Sequence, residues 1–227
     1  MPVLLFDLDG TLVDTAPDIR RALNAVLASQ GRESIGSQSL REMVGFGARS
    51  LIQQAMAATG EPVTAEHLPG LVDRFIAEYH AHVADKSRPY PLVGETLRAL
   101  LAEDARMAVL TNKPHELAVA LLDALDLTKY FSVVHGAGRL SYSKPDPRVV
   151  QHVLEALGNA NARATMIGDS ATDVATARAA NIPVILVSYG YTPEPAHTLG
   201  ADIVVDSFAD IPPAIRGLMN QSLRRET

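Results

Sequence analysis

From about residue 84 onward, short apolar runs alternate with stretches of helical periodicity, and this alternation restricts the fold more than any other feature of the chain. The apolar runs, which predict strands, lie at residues 3–6 near the start of the sequence and then at 107–110, 131–135, 164–167, 183–187 and 203–205. The helical stretches between them lie at residues 115–126, 146–157 and 171–180. Alternation of this kind is typical of a parallel sheet with helices on both faces, so the sequence predicts an α/β fold.

Residues 15–83 break this alternation, because they contain no convincing strand and instead carry several amphipathic helical periods. The segment leaves the predicted sheet after one strand and returns near the second, which indicates an inserted helical domain. Three or four such helices need one another to bury their apolar faces, so we expect a small bundle. Helices packed directly on the sheet are the alternative, and they would require an unusually long crossover. The predicted core therefore comprises residues 1–14 and 84–227, and the inserted domain comprises residues 15–83.

Bulk composition argues against several classes of protein. The chain has no cysteine, which excludes disulfides, thiolate metal sites and thiol nucleophiles and is typical of a reducing compartment. Its net charge of −6, without a basic cluster, argues against nucleic acid or an anionic membrane as a partner. No apolar run approaches the ~18 residues of a membrane span, and Asp7 interrupts the first run too early for a secretory signal. We therefore expect a cytoplasmic protein, either a monomer or a homodimer.

Two aspartates follow the first predicted strand, in the sequence Phe6-Asp7-Leu8-Asp9-Gly10. Gly10 permits a sharp turn, so both carboxylates can reach one space from different directions. Two such groups do not share one environment: the one that contacts a cation stays ionised, while its neighbour can hold a proton near neutral pH. Asp7 and Asp9 are therefore candidates for a nucleophile or metal ligand beside an acid–base group. The alternative is that both only cap the turn.

Polar residues also follow the later strands, at the edge of an open parallel sheet where ligands bind. In chain order they are Thr111, Asn112 and Lys113, then Lys144 from a loop, then Asp169, Ser170 and Asp173. Each fragment alone is explained as a solvated turn, a surface lysine or a helix cap, but together their chemistry is complementary. They suit a hard cation such as Mg²⁺, whose shell the phosphate of a substrate completes. A zinc site would use histidine or cysteine, and the seven histidines show no paired ligand spacing.

The type, order and spacing of these motifs resemble the four motifs of the haloacid dehalogenase-like superfamily. The matching stretches are Asp7-x-Asp9-Gly10-Thr11-Leu12-x-Asp14-Thr15, Thr111-Asn112, Lys144-Pro145 and Gly168-Asp169-Ser170-x-x-Asp173. Within the superfamily, the chain is similar to phosphoglycolate phosphatases in the stretches Asp14-Thr15-Ala16-Pro17-Asp18, Val44-Gly45-Phe46-Gly47 and Thr111-Asn112-Lys113-Pro114. The resemblance covers nearly the whole chain. It implies a Rossmann-like parallel core with a helical cap inserted after the first strand.

The resemblance also implies a catalytic role for three residues. Asp7 is expected to attack phosphorus and form an aspartyl-phosphate. Asp9 is expected to protonate the leaving alcohol and then to accept a proton from the attacking water. Lys144 is expected to neutralise charge between the nucleophile and the phosphate. A cation is also required on physical grounds, since an anionic carboxylate attacks an anionic phosphate.

The same resemblance implies the ligands of the metal and of the phosphate. Mg²⁺ is expected to be held by an acidic set, namely Asp7, the backbone carbonyl of Asp9, Asp169 and, as a ligand or a support, Asp173. The phosphoryl oxygens are expected to bind the Thr111 hydroxyl, the Asn112 backbone amide and the Lys144 ammonium.

Substrate choice is expected to reside in the predicted cap, because the core grips only the phosphoryl group. Gly45 and Gly47 are predicted to form a flexible or closely approaching loop, and Arg49 is predicted to bind a substrate carboxylate in bidentate fashion. In one alternative the glycines merely join two helices and Arg49 faces water. In another, Arg20 or Arg21 takes this role. A cap over a phosphate site also implies opening and closing.

These expectations predict a Mg²⁺-dependent phosphatase that acts on a small phosphorylated metabolite, with 2-phosphoglycolate as the leading candidate. A sugar phosphate, a nucleotide and inorganic pyrophosphate are the alternative substrates. Asp9 distinguishes the chain from the dehalogenases, and the absence of lysine from residues 15–83 excludes the Schiff base of phosphonatases. A receiver-like phospho-acceptor domain is the alternative from another class. Its acceptor aspartate ends the third strand, whereas Asp7 ends the first.

Overall fold

The computed structural model describes residues 3–225, with side chains described for residues 3–220. The strands are β1 (Val3–Phe6), β2 (Val13–Asp14), β3 (Arg88–Pro89), β4 (Arg106–Pro114), β5 (Val133–Ala137), β6 (Ala164–Gly168), β7 (Val184–Val187) and β8 (Ile203–Val205). The helices are α1 (Ala16–Ser29), α2 (Ser37–Met43), α3 (Gly47–Ala58), α4 (Leu68–His80), α5 (Val93–Ala102), α6 (His115–Ala124), α7 (Arg148–Ala156), α8 (Ala171–Ala179) and α9 (Ile211–Arg225). Within the described residues, none of these helices is both long and apolar enough to cross a membrane.

Six strands form one sheet in the order β5-β4-β1-β6-β7-β8, and neighbouring strands run parallel. β1 lies inside the sheet, and all four of its side chains are buried. Phe6, at the end of β1, pairs with Val109 of β4 and with Ile167 of β6, so the carboxyl ends of three strands lie side by side. The chain crosses from one side of β1 to the other between β5 and β6. This makes the end of β1 the kind of switch point where ligands bind in open parallel sheets.

The predicted α/β fold with a parallel sheet is confirmed. Each predicted strand is present, although β4 continues to Pro114 and β5 begins only at Val133. Helices α5 and α9 and the antiparallel pair of β2 and β3 are absent from the sequence-based prediction. α5 does carry a signal, because Val93, Leu97 and Leu100 are buried at helical spacing. The two-residue strands β2 and β3 are too short to show a periodic pattern.

Helices α1 to α4 follow one another between β2 and β3, and they pack against each other. The apolar positions of α1 are buried as their helical period predicts, namely Ile19, Ala22, Leu23, Val26 and Leu27. β2 and β3 pair antiparallel, with Val13 opposite Pro89 and Asp14 opposite Arg88. The helical segment therefore leaves and rejoins the rest of the chain at one short ribbon.

Leu97 and Leu101 of α5 form a matched pair for testing this packing, because Leu97 is fully buried and Leu101 is 46% exposed. Leu97→Ala is expected to lower the free energy of unfolding by about 2–5 kcal/mol, since it removes buried methyl groups and leaves a cavity. Leu101→Ala, which changes the same residue type in the same helix, is expected to change it by no more than about 0.5 kcal/mol. Urea-induced unfolding measures both values. Equal losses would contradict the described orientation of α5.

Candidate active site

Asp7 follows β1 directly, at the carboxyl edge of the sheet. Its amide donates a hydrogen bond to the carbonyl of Ile167 at 2.8 Å, which continues the pairing of β1 with β6. Gly10 has a φ of +89°, a conformation that other residues rarely adopt, and a Cβ there would lie 2.4 Å from Oδ2 of Asp169. The turn after β1 therefore requires glycine both for its backbone conformation and for the close approach of Asp169.

Asp7, Asp169 and Asp173 form a buried acidic cluster, in which one carboxylate oxygen of each lies within 4.8 Å of the others. Burial raises the pKa of Asp7 to about 6, although the charge of Lys144 acts against it. Burial, followed by the charges of Asp173 and Asp7, also raises the pKa of Asp169 well above its usual range. Three carboxylates crowded into a buried space favour a bound cation, and oxygen ligands suit a hard metal ion. The cluster can therefore hold a metal.

Lys144 lies between two members of this cluster. Its Nζ is 2.9 Å from Oδ1 of Asp7 and 2.6 Å from Oδ1 of Asp173, and its side chain is only 2% exposed. Burial acts to lower the pKa of Lys144, but the charges of Asp173 and Asp7 outweigh burial and hold the pKa above its usual value. The two carboxylates therefore favour the protonated, positively charged form of Lys144 beside Asp7.

Hydrogen bonds from the surrounding chain orient Asp169 and Asp173. The hydroxyl of Thr11 donates to Oδ1 of Asp169 at 2.8 Å, and the amide of Tyr191 donates to its Oδ2 at 2.7 Å. Oδ2 of Asp173 accepts from the amides of Asp169 and Ser170 at 3.2 and 3.1 Å and from the Ser170 hydroxyl at 2.8 Å. The bond from the Ser170 amide is one half of a capping box at the start of α8, so the first turn of that helix holds Asp173 in place.

Asp9 pairs with a different cation. Nζ of Lys113 lies 2.9 Å from Oδ1 and 3.3 Å from Oδ2 of Asp9, and it donates to the hydroxyl of Tyr79 at 2.7 Å. Burial lowers the pKa of Lys113, while the charge of Asp9 acts in the opposite direction. The sequence analysis placed Lys113 at this edge of the sheet but assigned it no role in the site. The available signal was its place two residues after Thr111, since alternation along a strand puts both side chains on one face.

Thr111 and Asn112 lie near the end of β4, and both side chains are buried. The side-chain amide of Asn112 donates to the carbonyls of Gly45 and Lys144, both at 3.1 Å. It therefore joins the loop before α3 to the loop that carries Lys144. The hydroxyl of Thr111 accepts a hydrogen bond from the amide of Lys113 at 3.2 Å, which leaves its own hydrogen available to a ligand.

Two cavities share four lining residues, namely Asp7, Asp9, Val44 and Gly45. The first has a volume of about 40 Å³ and lies beneath helices α1, α3 and α4. Its apolar wall comprises Ile19, Met43, Val44, Ala48, Leu51, Phe75, Pro114 and Leu117. The second has a volume of about 230 Å³ and extends toward Asp169 and residues 191–194. Asp7 and Asp9 are therefore accessible from two directions.

Of the three residues predicted to select the substrate, the two glycines line the cavities and Arg49 does not. Gly45 lines both cavities and Gly47 lines the first, and a Cβ at Gly47 would lie 3.3 Å from the carbonyl oxygen of Asn112. The two glycines therefore bring the loop before α3 close to β4. Arg49 is not among the residues that line either cavity. Arg21 is not among them either, and it donates to a backbone carbonyl of α4 at 2.6 Å.

Tyr191 joins the acidic cluster to the start of the helical segment. Its amide donates to Asp169, and its hydroxyl donates to Oδ1 of Asp14 at 2.6 Å. The same hydroxyl accepts hydrogen bonds from the amides of Thr15 and Ala16 at 2.6 and 2.9 Å. The chain therefore enters α1 at a point that is hydrogen-bonded to Tyr191, and Tyr191 also contacts the candidate metal ligand Asp169.

The chain is similar to known proteins over most of its length. The sequence profile of the haloacid dehalogenase-like hydrolases matches residues 4–187. A phosphoglycolate phosphatase from Caulobacter vibrioides is 49% identical to the chain over 211 residues, which cover 93% of this chain and 89% of that protein. One from Agrobacterium fabrum is 41% identical over 214 residues, which cover 94% and 92% of the two. The crystal structure of a predicted phosphoglycolate phosphatase from Haemophilus somnus 129PT has a TM-score of 0.88 and 29% identity, over 95% of this chain and 98% of that one.

The contact between Gly10 and Asp169 can be tested with a second glycine as the control. Gly10→Ala and Gly31→Ala each place a side chain at positive φ, +89° and +65°, but a Cβ at Gly31 meets nothing within 4 Å. Backbone strain is expected to cost each variant about 1–2 kcal/mol of stability. Only Gly10→Ala is expected to displace Asp169 and so to weaken Mg²⁺ binding, measured by titration calorimetry. Equal Mg²⁺ affinities in the two variants would contradict the contact.

Proposed function

Since the chain belongs to the family of haloacid dehalogenase-like hydrolases, we propose that it is a phosphatase of a small phosphate monoester, with 2-phosphoglycolate as its substrate. The observation that carries this proposal is the buried pairing of Asp7 with Lys144 beside the acidic cluster. A carboxylate held in this way can attack phosphorus, because the neighbouring ammonium offsets the repulsion between two anions. The phosphoglycolate phosphatases of Caulobacter vibrioides and Agrobacterium fabrum support the choice of substrate.

In the proposed first step, a carboxylate oxygen of Asp7 attacks phosphorus, and the bond between phosphorus and the ester oxygen breaks. The ester oxygen takes the bonding electrons together with a proton from Asp9, and it leaves as the hydroxyl of glycolate. Lys144, 2.9 Å from Asp7, lowers the electrostatic barrier to the attack. The product of this step is an aspartyl-phosphate on Asp7.

In the proposed second step, water attacks phosphorus while Asp9 accepts a proton from it. The bond between phosphorus and Asp7 breaks, its electrons return to the carboxylate, and phosphate is released. Asp9 suits both steps because it lies where the two cavities meet, beside the nucleophile. Two displacements at phosphorus replace one more difficult hydrolysis.

The acidic cluster fits Mg²⁺ as the metal of this reaction. Asp7, Asp169 and Asp173 each offer a buried carboxylate oxygen, and we add the backbone carbonyl of Asp9 as a further ligand. An all-oxygen donor set is what Mg²⁺ prefers. When bound, Mg²⁺ supplies charge stabilisation for the phosphoryl group.

The phosphoryl oxygens are proposed to bind three groups around Asp7. The hydroxyl of Thr111 retains a hydrogen for this purpose. The side chain of Asn112 is already bonded to two carbonyls, so its backbone amide is the donor that we assign. Lys144 supplies the third, charged contact.

We propose that the leaving group lies in the first cavity, which is the smaller of the two cavities that Asp9 lines. Its volume of about 40 Å³ is small beside the roughly 150 Å³ of a cavity that holds benzene, so it favours glycolate over a sugar ring or a nucleoside. We propose residues 1–14 and 84–227 as the core and residues 15–83 as a cap that selects the substrate, because this segment supplies more than half of the residues that line the first cavity.

A substrate panel tests the proposed function directly. With Mg²⁺ present, kcat/KM for 2-phosphoglycolate is expected to exceed the values for glucose 6-phosphate, AMP and pyrophosphate by at least about tenfold, which corresponds to roughly 1.4 kcal/mol of additional transition-state binding. The physical reason is the small volume of the first cavity, in which the leaving group is proposed to lie. A flat profile, or a higher value for a larger substrate, would contradict the proposal.

Replacement of the nucleophile tests the assigned mechanism. Asp7→Asn is expected to lower kcat by at least about 1,000-fold, because an amide cannot form the aspartyl-phosphate. Asp73→Asn makes the same change at an exposed position of α4 and is expected to retain wild-type kcat. Circular dichroism checks that both variants fold. Substantial turnover by folded Asp7→Asn would refute the role of Asp7.

A further inference from the structure

Lys113 has no role in the reaction as described above, yet it is one of only four lysines in the chain. Lys86 and Lys129 are exposed, and Lys144 is the other lysine that is buried. Burial of an ammonium costs free energy unless polar or charged partners compensate it. A second buried lysine beside the catalytic carboxylates therefore requires a functional explanation.

Among the residues that line the first cavity, Lys113 carries the only positive charge. The other charged members are Asp7 and Asp9, and the remainder are neutral. Nζ of Lys113 bonds both carboxylate oxygens of Asp9, at 2.9 and 3.3 Å, and the hydroxyl of Tyr79. One N–H shared between the two oxygens of Asp9 and one directed at Tyr79 leave the third for a ligand. A ligand in this cavity therefore meets an ammonium that an anionic group satisfies best.

The distance between Lys113 and Asp9 matches the dimensions of a two-carbon leaving group. In 2-phosphoglycolate, a single methylene separates the ester oxygen from the carboxylate. Asp9 is proposed to protonate that ester oxygen, so the carboxylate must lie within a few ångströms of Asp9. Nζ of Lys113, 2.9 Å from Oδ1 of Asp9, lies within this range, whereas Arg49 lines neither cavity.

We propose that Lys113 is the residue that binds the carboxylate of the substrate, in place of Arg49. This inference rests on the proposed function and assigns its specificity to one side chain. The walls formed by Ile19, Leu51 and Phe75 limit access of water, which strengthens an ionic hydrogen bond in the cavity. A substrate whose leaving group has no carboxylate would leave the last N–H of Lys113 unpaired, and this penalty favours 2-phosphoglycolate.

Tyr79 couples this recognition to the helical segment. It belongs to α4, its hydroxyl accepts a hydrogen bond from Lys113, and its ring centre lies 4.2 Å from Nζ. Both contacts hold the ammonium at the wall of the cavity. Carboxylate binding therefore depends on α4 lying against the end of β4.

The test compares 2-phosphoglycolate with ethyl phosphate, which has a methyl group in place of the carboxylate. In Lys113→Met, the ratio of the two kcat/KM values is expected to fall by about 10- to 100-fold from its wild-type value, because a hydrogen bond between charged groups is lost. Loss of the ion pair with Asp9 affects proton transfer to both substrates, so the ratio removes the part of this effect that the two alcohol leaving groups share. An unchanged ratio in Lys113→Met would overturn the proposal.

Matched variants complete the experiment. Lys129→Met removes an exposed positive charge and is expected to leave the ratio unchanged, whereas Lys113→Arg keeps the charge and is expected to retain most of the preference. Tyr79→Phe keeps Lys113 but removes its hydroxyl partner, so it is expected to lower the ratio even if Lys113→Met fails to fold. A preference that is lost in Arg49→Met and kept in Lys113→Met would overturn the proposal in favour of Arg49.

The wild-type protein separates failure of this inference from failure of the proposed function. A wild-type preference for 2-phosphoglycolate over ethyl phosphate that survives in Lys113→Met overturns only the assignment of Lys113. Equal kcat/KM values for the two substrates in the wild type overturn the proposed substrate, and the assignment of Lys113 with it.

Discussion

The site depends on the buried contact of Lys144 with Asp7 and Asp173. Three carboxylates in one buried space repel one another, and burial alone favours their neutral forms. Lys144 places a positive charge 2.9 Å from Asp7 and 2.6 Å from Asp173, which favours the ionised forms. Because the partners come from the end of β1, the loop before α7 and the first turn of α8, the same contact also joins three elements that are distant in sequence.

Two buried lysines give the two aspartates of the first motif different surroundings. Asp7 contacts Lys144 and faces the acidic cluster, while Asp9 contacts Lys113 and faces the cavity beneath the helices. Asp7 and Asp9 are only two positions apart, and the turn at Gly10 lets their side chains point into these two separate spaces. The proposed chemistry follows this division, with the phosphoryl group at Asp7 and the leaving group at Asp9.

The helical segment contributes to the site through hydrogen bonds as well as through the cavity wall. These bonds join Asn112 to Gly45, Lys113 to Tyr79, and Tyr191 to Thr15 and Ala16. Each bond has one partner at the carboxyl edge of the sheet and one in or beside α1, α3 or α4. A movement of the helices would therefore change the surroundings of the carboxylates that we propose as catalytic, and this is how a lid that excludes water during phosphoryl transfer would operate.

The sequence by itself determined the parallel α/β sheet and the motif residues that meet at its edge, because strand and helix periodicities are local and because parallel strands end on the same side. Asp7, Lys144, Asp169 and Asp173 could be predicted in this way. Only the tertiary structure decided that Lys113 lines the cavity and that Arg49 does not. That outcome depends on how α3 and α4 pack over the end of β4, and such long-range contacts leave no periodic pattern in the sequence.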